Sequence, residues 1–219
     1  MYNKLEIDVM QASDLLEATQ IASKYKLPAI VVHQDIMVEA QIARGKVNGK
    51  YKIIIPIDWP KGEIFGDLKL RGLSVDTLDA EGFEILLTGN KSRIETKNEA
   101  KTLMEFIKRH LGELTEVRFV LGTGFRSEEN ISELCEGLIG VRRPDMIRTD
   151  INLKAQLGKT NIDTHNIIIE NIKKIISAPT KISGNISSVK TISACKAERY
   201  AVNITQAKNI IKEFQQQPI

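Results

Sequence analysis

The stretch TKISGNISSVKTISACKAERYAVNITQAKNIIKEF, Thr180–Phe214, sets the pattern for the whole chain. It opens on a short β-branched run, Thr180–Ser183, that reads as a strand. A Gly-Asn turn and a short helical segment over Ser187–Cys195 follow. The run Arg199–Val202 is a second strand, and apolar residues at helical spacing then extend to Phe214. Strand, turn and helix repeat twice here, the signature of parallel strands joined by crossover helices.

The same rhythm runs back to the N-terminus. The earlier strand-like runs are Leu5–Val9, Ala29–Val32, Lys52–Ile57, Phe83–Thr88, Val117–Leu121 and Asp145–Thr149. Helices are expected from Ser13, as cap, to Tyr25, then over Asp35–Arg44, toward Asp79, over Glu95–Leu111, through Ile139 and over Asp163–Ser177. Eight βα units without a Gly/Ser linker imply one domain, residues 1–219, built on one parallel sheet covered by helices. Closing that sheet removes both edges, so the expected fold is a (β/α)8 TIM barrel. A doubly wound open sheet is the competing arrangement, and no GxGxxG follows the first strand to favour a dinucleotide fold.

Composition narrows the partners. A net charge of +3, with Lys and Arg interleaved among Asp and Glu, gives no nucleic-acid footprint and suits a small anionic ligand. MYNKLEIDVMQASD at the start lacks the apolar run of a signal peptide, and no stretch reaches a membrane span. The expectation is a cytoplasmic protein with no membrane partner. Cys135 and Cys195 read as free thiols within helices.

In a barrel, chemistry sits where strands end and βα loops begin. That rule selects Asp8, His33, Asp58, Thr123, Arg148, Asp150, Lys181, Ser183 and Asn203. Lysine inside a strand is either functional or ion-paired, and the partner expected for Lys181 is Asp150 or Asp8. Arg148 either clamps a carboxylate or phosphate or neutralises Asp150, two residues on along the same strand face. Asp8, within the apolar run LEIDVM, is a candidate general base, whereas Asp58 before Trp-Pro suits a turn. His33 could serve acid–base chemistry; His110 fits a helix end and His165 a helix surface. Three scattered histidines without a carboxylate at ligand spacing point away from a metal, and no cofactor is expected.

Several of these loops together resemble the deoxyribose-phosphate aldolase family. VRFVLGTGFRSEENI (Val117–Ile131) is similar to that family's strand-five segment, and IPIDWPKGE (Ile55–Glu63) to its strand-three exit. PDMIRTD (Pro144–Asp150) resembles strand six, TKISGNISSVKTI strand seven, and RYAVNITQAKNII the last strand with its phosphate-side helix. The resemblance implies class I aldol chemistry on a small phosphorylated aldehyde. There a strand-six lysine forms a Schiff base, a strand-seven lysine lowers its pKa, and a strand-four aspartate moves protons.

This sequence departs from that scheme at two of the three positions. Arg148 stands at the Schiff-base position and has no free amine electron pair. Leu86 stands at the strand-four position, and only Lys181 matches the strand-seven lysine. INLKAQLGKT (Ile151–Thr160) replaces the glycine-rich stretch expected after strand six, and Ile204 replaces a hydroxyl beside the last strand.

The catalytic candidates are therefore Lys181, as a relocated Schiff-base lysine, with Asp8 and Arg148. Thr123, Gly124, Ser183, Gly184, Asn185 and Asn203 form the expected substrate and phosphate cradle. Helix capping by Asn203 and Ser187 is the plainer alternative for two of these loops. The competing function is a catalytically inactive barrel that binds a sugar phosphate or other anion, or serves as an interaction protein. Self-association into a homo-oligomer accompanies either reading.

Overall fold

A computed structural model describes residues 2–58, 80–87, 101, 105, 115–121, 143–150, 161–184, 186 and 188–216. Its eight strands are β1 Leu5–Val9, β2 Ala29–Val32, β3 Lys52–Asp58, β4 Gly82–Leu87, β5 Glu116–Leu121, β6 Met146–Asp150, β7 Thr180–Ser183 and β8 Arg199–Val202. Every neighbouring pair is parallel, and β8 pairs with β1 through Leu5–Tyr200, Glu6–Ala201 and Ile7–Val202. The sheet is a closed (β/α)8 barrel, and the open-sheet alternative is excluded.

The described helices are α1 Ala12–Tyr25, α2 Met37–Lys46, α3 Asn161–Ile176, α4 Val189–Ala194 and α5 Ile204–Gln216. The helices expected toward Asp79, over Glu95–Leu111 and through Ile139 lie outside the described residues, apart from helical Lys101 and Glu105. Ser13 does not cap α1. The cap position is Gln11, without a side-chain bond, and the Ser13 hydroxyl turns to Asp14 Oδ1 instead. The second helix begins with a 3-10 turn over Gln34–Ile36 before its α-helical part.

Strand alternation divides the apolar residues between two compartments. Leu5, Ile7 and Val9 of β1, Ile53 and Ile55 of β3, and Val117, Phe119 and Leu121 of β5 face the helix layer. There they meet Leu15, Ala18 and Ala22 of α1 and Ala207, Ile210 and Ile211 of α5 in one continuous core. The inward positions are different in kind. Ala29, Val31 and Ile54 form a small separate apolar cluster, and much of the remaining lumen is charged.

Gly82 fits this tight interior for a steric reason. A Cβ there would lie 2.8 Å from both the Glu116 carbonyl oxygen and Ile54 Cδ1. The absence of a side chain lets β3, β4 and β5 approach at that level.

Candidate functional site

The inward residues of β1, β4, β5, β6 and β7 build a chain of ion pairs through the barrel. Glu6 and Asp8, two apart on β1, point into the lumen because Leu5, Ile7 and Val9 point out. Lys181 Nζ donates to Glu6 Oε2 at 2.6 Å and to Glu84 Oε1 at 2.5 Å, and its side chain is fully buried. Arg118 Nη1 donates to the same two carboxylates, at 2.5 Å to Glu6 and 3.2 Å to Glu84. Its Nε donates to Glu116 Oε1 at 2.6 Å, and Glu116 Oε2 in turn accepts from Lys52 Nζ at 2.7 Å.

Arg148 closes the upper end. Its Nη1 donates to Glu84 Oε2 at 2.6 Å and its Nη2 to Asp8 Oδ2 at 2.5 Å. Four carboxylates (Glu6, Asp8, Glu84, Glu116) thus face four hydrogen-bonded cations (Lys52, Arg118, Arg148, Lys181), so the charges of the hydrogen-bonded set cancel, with Arg199 standing farther off, 3.8 Å from Glu6 Oε1. Such balance permits ionised groups to remain in a dry interior, where each alone would be costly.

The electrostatics follow from that pairing. Burial pushes the Glu6 carboxyl up, but Lys181 and Arg118 beside it hold it below its ordinary value. Burial acts likewise on Glu84, and Lys181, Arg148 and Arg118 hold it below its ordinary value. Burial opposes the charge on Arg118 and Arg148, and the carboxylates around them raise both above the usual arginine value. Glu6, Glu84, Arg118 and Arg148 are thereby held in their charged forms.

These contacts settle several alternatives open in the sequence. Lys181 does meet carboxylates: among the described side chains they are Glu6 and Glu84 and not Asp8, while the Asp150 side chain lies outside the described residues. Arg148 neutralises Asp8 of β1 and Glu84 of β4, both on other strands. Arg148 and Lys181 are register partners on adjacent strands, and with Asp8 they form one connected site. Leu86, at the position where an aspartate was expected, is on β4 opposite Asp58 of β3 and Val120 of β5.

The remaining candidates divide. Ser183 is buried and donates its hydroxyl to the Thr149 carbonyl at 3.2 Å, while Gly184 takes φ 112°, a conformation suited to glycine. Asn203 and Gln206 cap α5 reciprocally: each side-chain oxygen accepts the other residue's N–H at 2.9 Å. Gln206 Nε2 also donates to the Gly184 carbonyl at 3.1 Å, tying the β7 and β8 loops together. The helix after β7 is capped by Ser188, which accepts from the Thr191 N–H at 3.2 Å.

His33 stands apart from the cluster, half exposed, its Nδ1 accepting from the Asp35 N–H at 3.4 Å. Thr123, Gly124, Asn185, Ser187, His110 and Cys135, and the side chains of Asp58, Asp150 and His165, lie outside the described residues. Cys195 is a free, half-buried thiol, and burial pushes its pKa up. Among the described residues no His, Cys, Asp and Glu group is arranged to hold a metal. No described helix is long and apolar enough to cross a membrane.

Glu6, Glu84 and Arg118 escaped the sequence reading, which looked only at strand ends. Their signal was present as charge at every second position of apolar runs: Glu6 and Asp8 in LEIDV, Glu116 and Arg118 in EVRFVL. Charge on one face of a strand whose other face is core must enter the lumen.

With this geometry in hand, comparison with solved structures is informative. The deoxyribose phosphate aldolase of Aeropyrum pernix, a tetramer, superposes with a TM-score of 0.73 at 15% identity, covering 98% of this chain and 91% of that one. A putative deoxyribose-phosphate aldolase from Toxoplasma gondii ME49 gives 0.74 at 13% identity, covering 99% and 95%. The chain has the deoxyribose-phosphate aldolase fold. An N-acetylmannosamine-6-phosphate 2-epimerase from Clostridium perfringens, by contrast, reaches 0.55 at 16% identity, with 98% and 93% covered. No protein-family model matches the sequence, and no curated protein is similar to it. The aldolase-like barrel therefore shares architecture with these enzymes, while its charged lumen must be judged on its own chemistry.

Proposed function

We propose that this aldolase-like barrel binds a small phosphorylated sugar or related anion at its C-terminal mouth without forming an imine. The observation that carries the reading is Lys181 Nζ, fully buried and held by Glu6 and Glu84 at 2.6 and 2.5 Å. Imine formation needs a neutral amine with a free electron pair. Lys181 Nζ instead spends its hydrogen bonds on the two carboxylates and is closed off from solvent. Arg148 keeps its charge and cannot substitute.

The anion-binding half of the reading rests on the rim. The first N–H groups of α5, at Ile204 and Thr205, have no carbonyl within the helix to bond, and the left-handed turn at Gly184 lies beside them through Gln206. A phosphate there would gain both backbone donors and the positive end of a 13-residue helix. Self-association and a cytoplasmic location belong to the same reading, the first in line with the tetrameric Aeropyrum protein.

The test combines trapping with binding. After incubation with 2-deoxyribose 5-phosphate and borohydride, peptide mass spectrometry should find no adduct on Lys181 under conditions that label an active aldolase. Calorimetry with the same compound should show saturable binding. A reduced adduct on Lys181 would overturn the proposal in favour of an enzyme with a displaced lysine. Absence of both adduct and binding would leave an interaction barrel and sink the ligand.

A further inference from the structure

The opposite end of the barrel carries a cavity that the aldolase-like mouth does not explain. It measures about 410 Å³ and opens among the N-terminal ends of β3, β5, β6, β7 and β8. Its walls bring together Lys52, Glu116, Asp145, Pro179, Glu198 and Arg199, with Thr115 and Met146 between them.

The charges on these walls are unequally used. Glu116 accepts from both Arg118 and Lys52. Glu198 accepts from the Thr180 N–H and hydroxyl, each at 2.8 Å, and pairs with Lys173. Asp145 Oδ2 accepts from the Val117 N–H at 2.7 Å. Arg199 is different. Its only hydrogen bond among the described residues runs from Nη1 to the Glu198 carbonyl at 3.2 Å. The nearest carboxylate, Glu6 Oε1, lies 3.8 Å from Nε, and Glu6 is already neutralised by Lys181 and Arg118. Arg199 reaches Glu6 only at 3.8 Å, beyond hydrogen-bond distance, which leaves most of its guanidinium N–H groups without a described partner, one third exposed on the cavity wall.

A guanidinium has five N–H donors in a planar fork that matches two oxygens of a carboxylate or phosphate. Lysines stand around this face among its carboxylates. Lys26 follows the end of α1, Lys46 ends α2, Lys50 precedes β3, and Lys173 and Lys174 lie in the last turn of α3, all at the end where strands begin. Lysines there lower the cost of bringing an anion up to the rim.

We infer that this cavity is a second ligand site, in which Arg199, supported by Lys52, binds the phosphate or carboxylate group of a small metabolite at the N-terminal face. The cavity has room for such a group and several atoms beyond it, and Asp145 and Glu198 in its lining limit the charge it accepts.

The probes are inorganic phosphate and malonate, titrated by calorimetry into the full chain and into three variants. Arg199→Gln removes the fork. Pro179→Glu adds a carboxylate at the exposed rim without touching the ion pairs of the lumen, and it replaces Arg199→Gln should that variant fail to fold. Asn203→Asp keeps the α5 cap but repels anions from the mouth. Wild type and Asn203→Asp should bind at least one probe saturably, and Arg199→Gln and Pro179→Glu should each weaken that binding tenfold or more. Saturation by phosphate alone assigns a phosphate ester, and saturation by malonate alone assigns a carboxylate. No saturable binding of either probe would overturn the inference, as would binding lost in Asn203→Asp but kept in folded Arg199→Gln. The last pattern places the anion at the mouth instead, so the two sites succeed or fail separately.

Discussion

Replacing Lys181 by Met tests the reading of the lumen most directly. Met has nearly the same length and no charge, so the substitution removes the ammonium with little change in packing. It deletes the 2.6 Å bond to Glu6 and the 2.5 Å bond to Glu84, both inside a fully buried cluster. Cluster charge goes from zero to minus one. Removing one partner of a buried ion pair costs about 3–5 kcal/mol, because the other charge is left without compensation. Here Glu6 keeps Arg118, and Glu84 keeps Arg118 and Arg148, which places the expected loss near the lower end, about 3 kcal/mol. Urea denaturation at pH 7 reads this as a lower midpoint at unchanged slope. The double variant Lys181→Met/Glu6→Gln restores neutrality and should recover part of the loss, which a double-mutant cycle measures. A folded Lys181→Met protein that loses less than about 1 kcal/mol would refute the argument, since an uncoupled lysine could be removed at that cost.

Further outcomes follow from the same contacts. Glu6 and Glu84 have carboxyl pKa values held below their ordinary 4.5, so their pairing stabilises the fold above that pH and is lost as pH falls through the lower folded values. Melting temperature should therefore be flat near neutrality and decline below about pH 4.5, and a curve that stays level through pH 3 would contradict the buried ion pairs. Gly82→Ala puts a Cβ 2.8 Å from the Glu116 carbonyl, forcing β4 and β5 apart. We expect about 1–3 kcal/mol of destabilisation in thermal melts, and an unchanged melting temperature would show that the strands yield freely. Ser188→Ala removes the cap bond to the Thr191 N–H and should cost about 1 kcal/mol, with Ser188→Asp retaining most of it. Equal stability of the Ala and Asp variants would dismiss the cap.

The residues that fixed the barrel were local ones. Runs such as Leu5–Val9, Ala29–Val32, Thr180–Ser183 and Arg199–Val202 are strands over the same residues that their β-branched, alternating patterns predict. Each depends only on neighbours two to four positions away, which a single sequence displays. Boundaries were less legible where capping decides them. Ser13 has the right chemistry for a cap, but α1 starts one residue earlier and turns that hydroxyl outward to Asp14.

The lumen was legible only in part. Asp8, Arg148 and Lys181 could be picked out as charged residues in strands, since apolar surroundings make any charge conspicuous. Their partners could not be assigned. Lys181 meets Glu6 across 175 residues of sequence, and Arg118 meets Glu6 across 112. No local pattern encodes which charges share a level of a closed barrel. The sequence by itself determined alternating strand and helix units and one parallel sheet, because period-two and period-3.6 burial are properties of short segments. Closure over an open sheet was decided by the pairing of β8 with β1. Only the tertiary structure decided that Lys181 lies between Glu6 and Glu84. Closure and strand register bring those side chains within hydrogen-bond distance, and in the dry interior an ammonium stays bound to the carboxylates it meets.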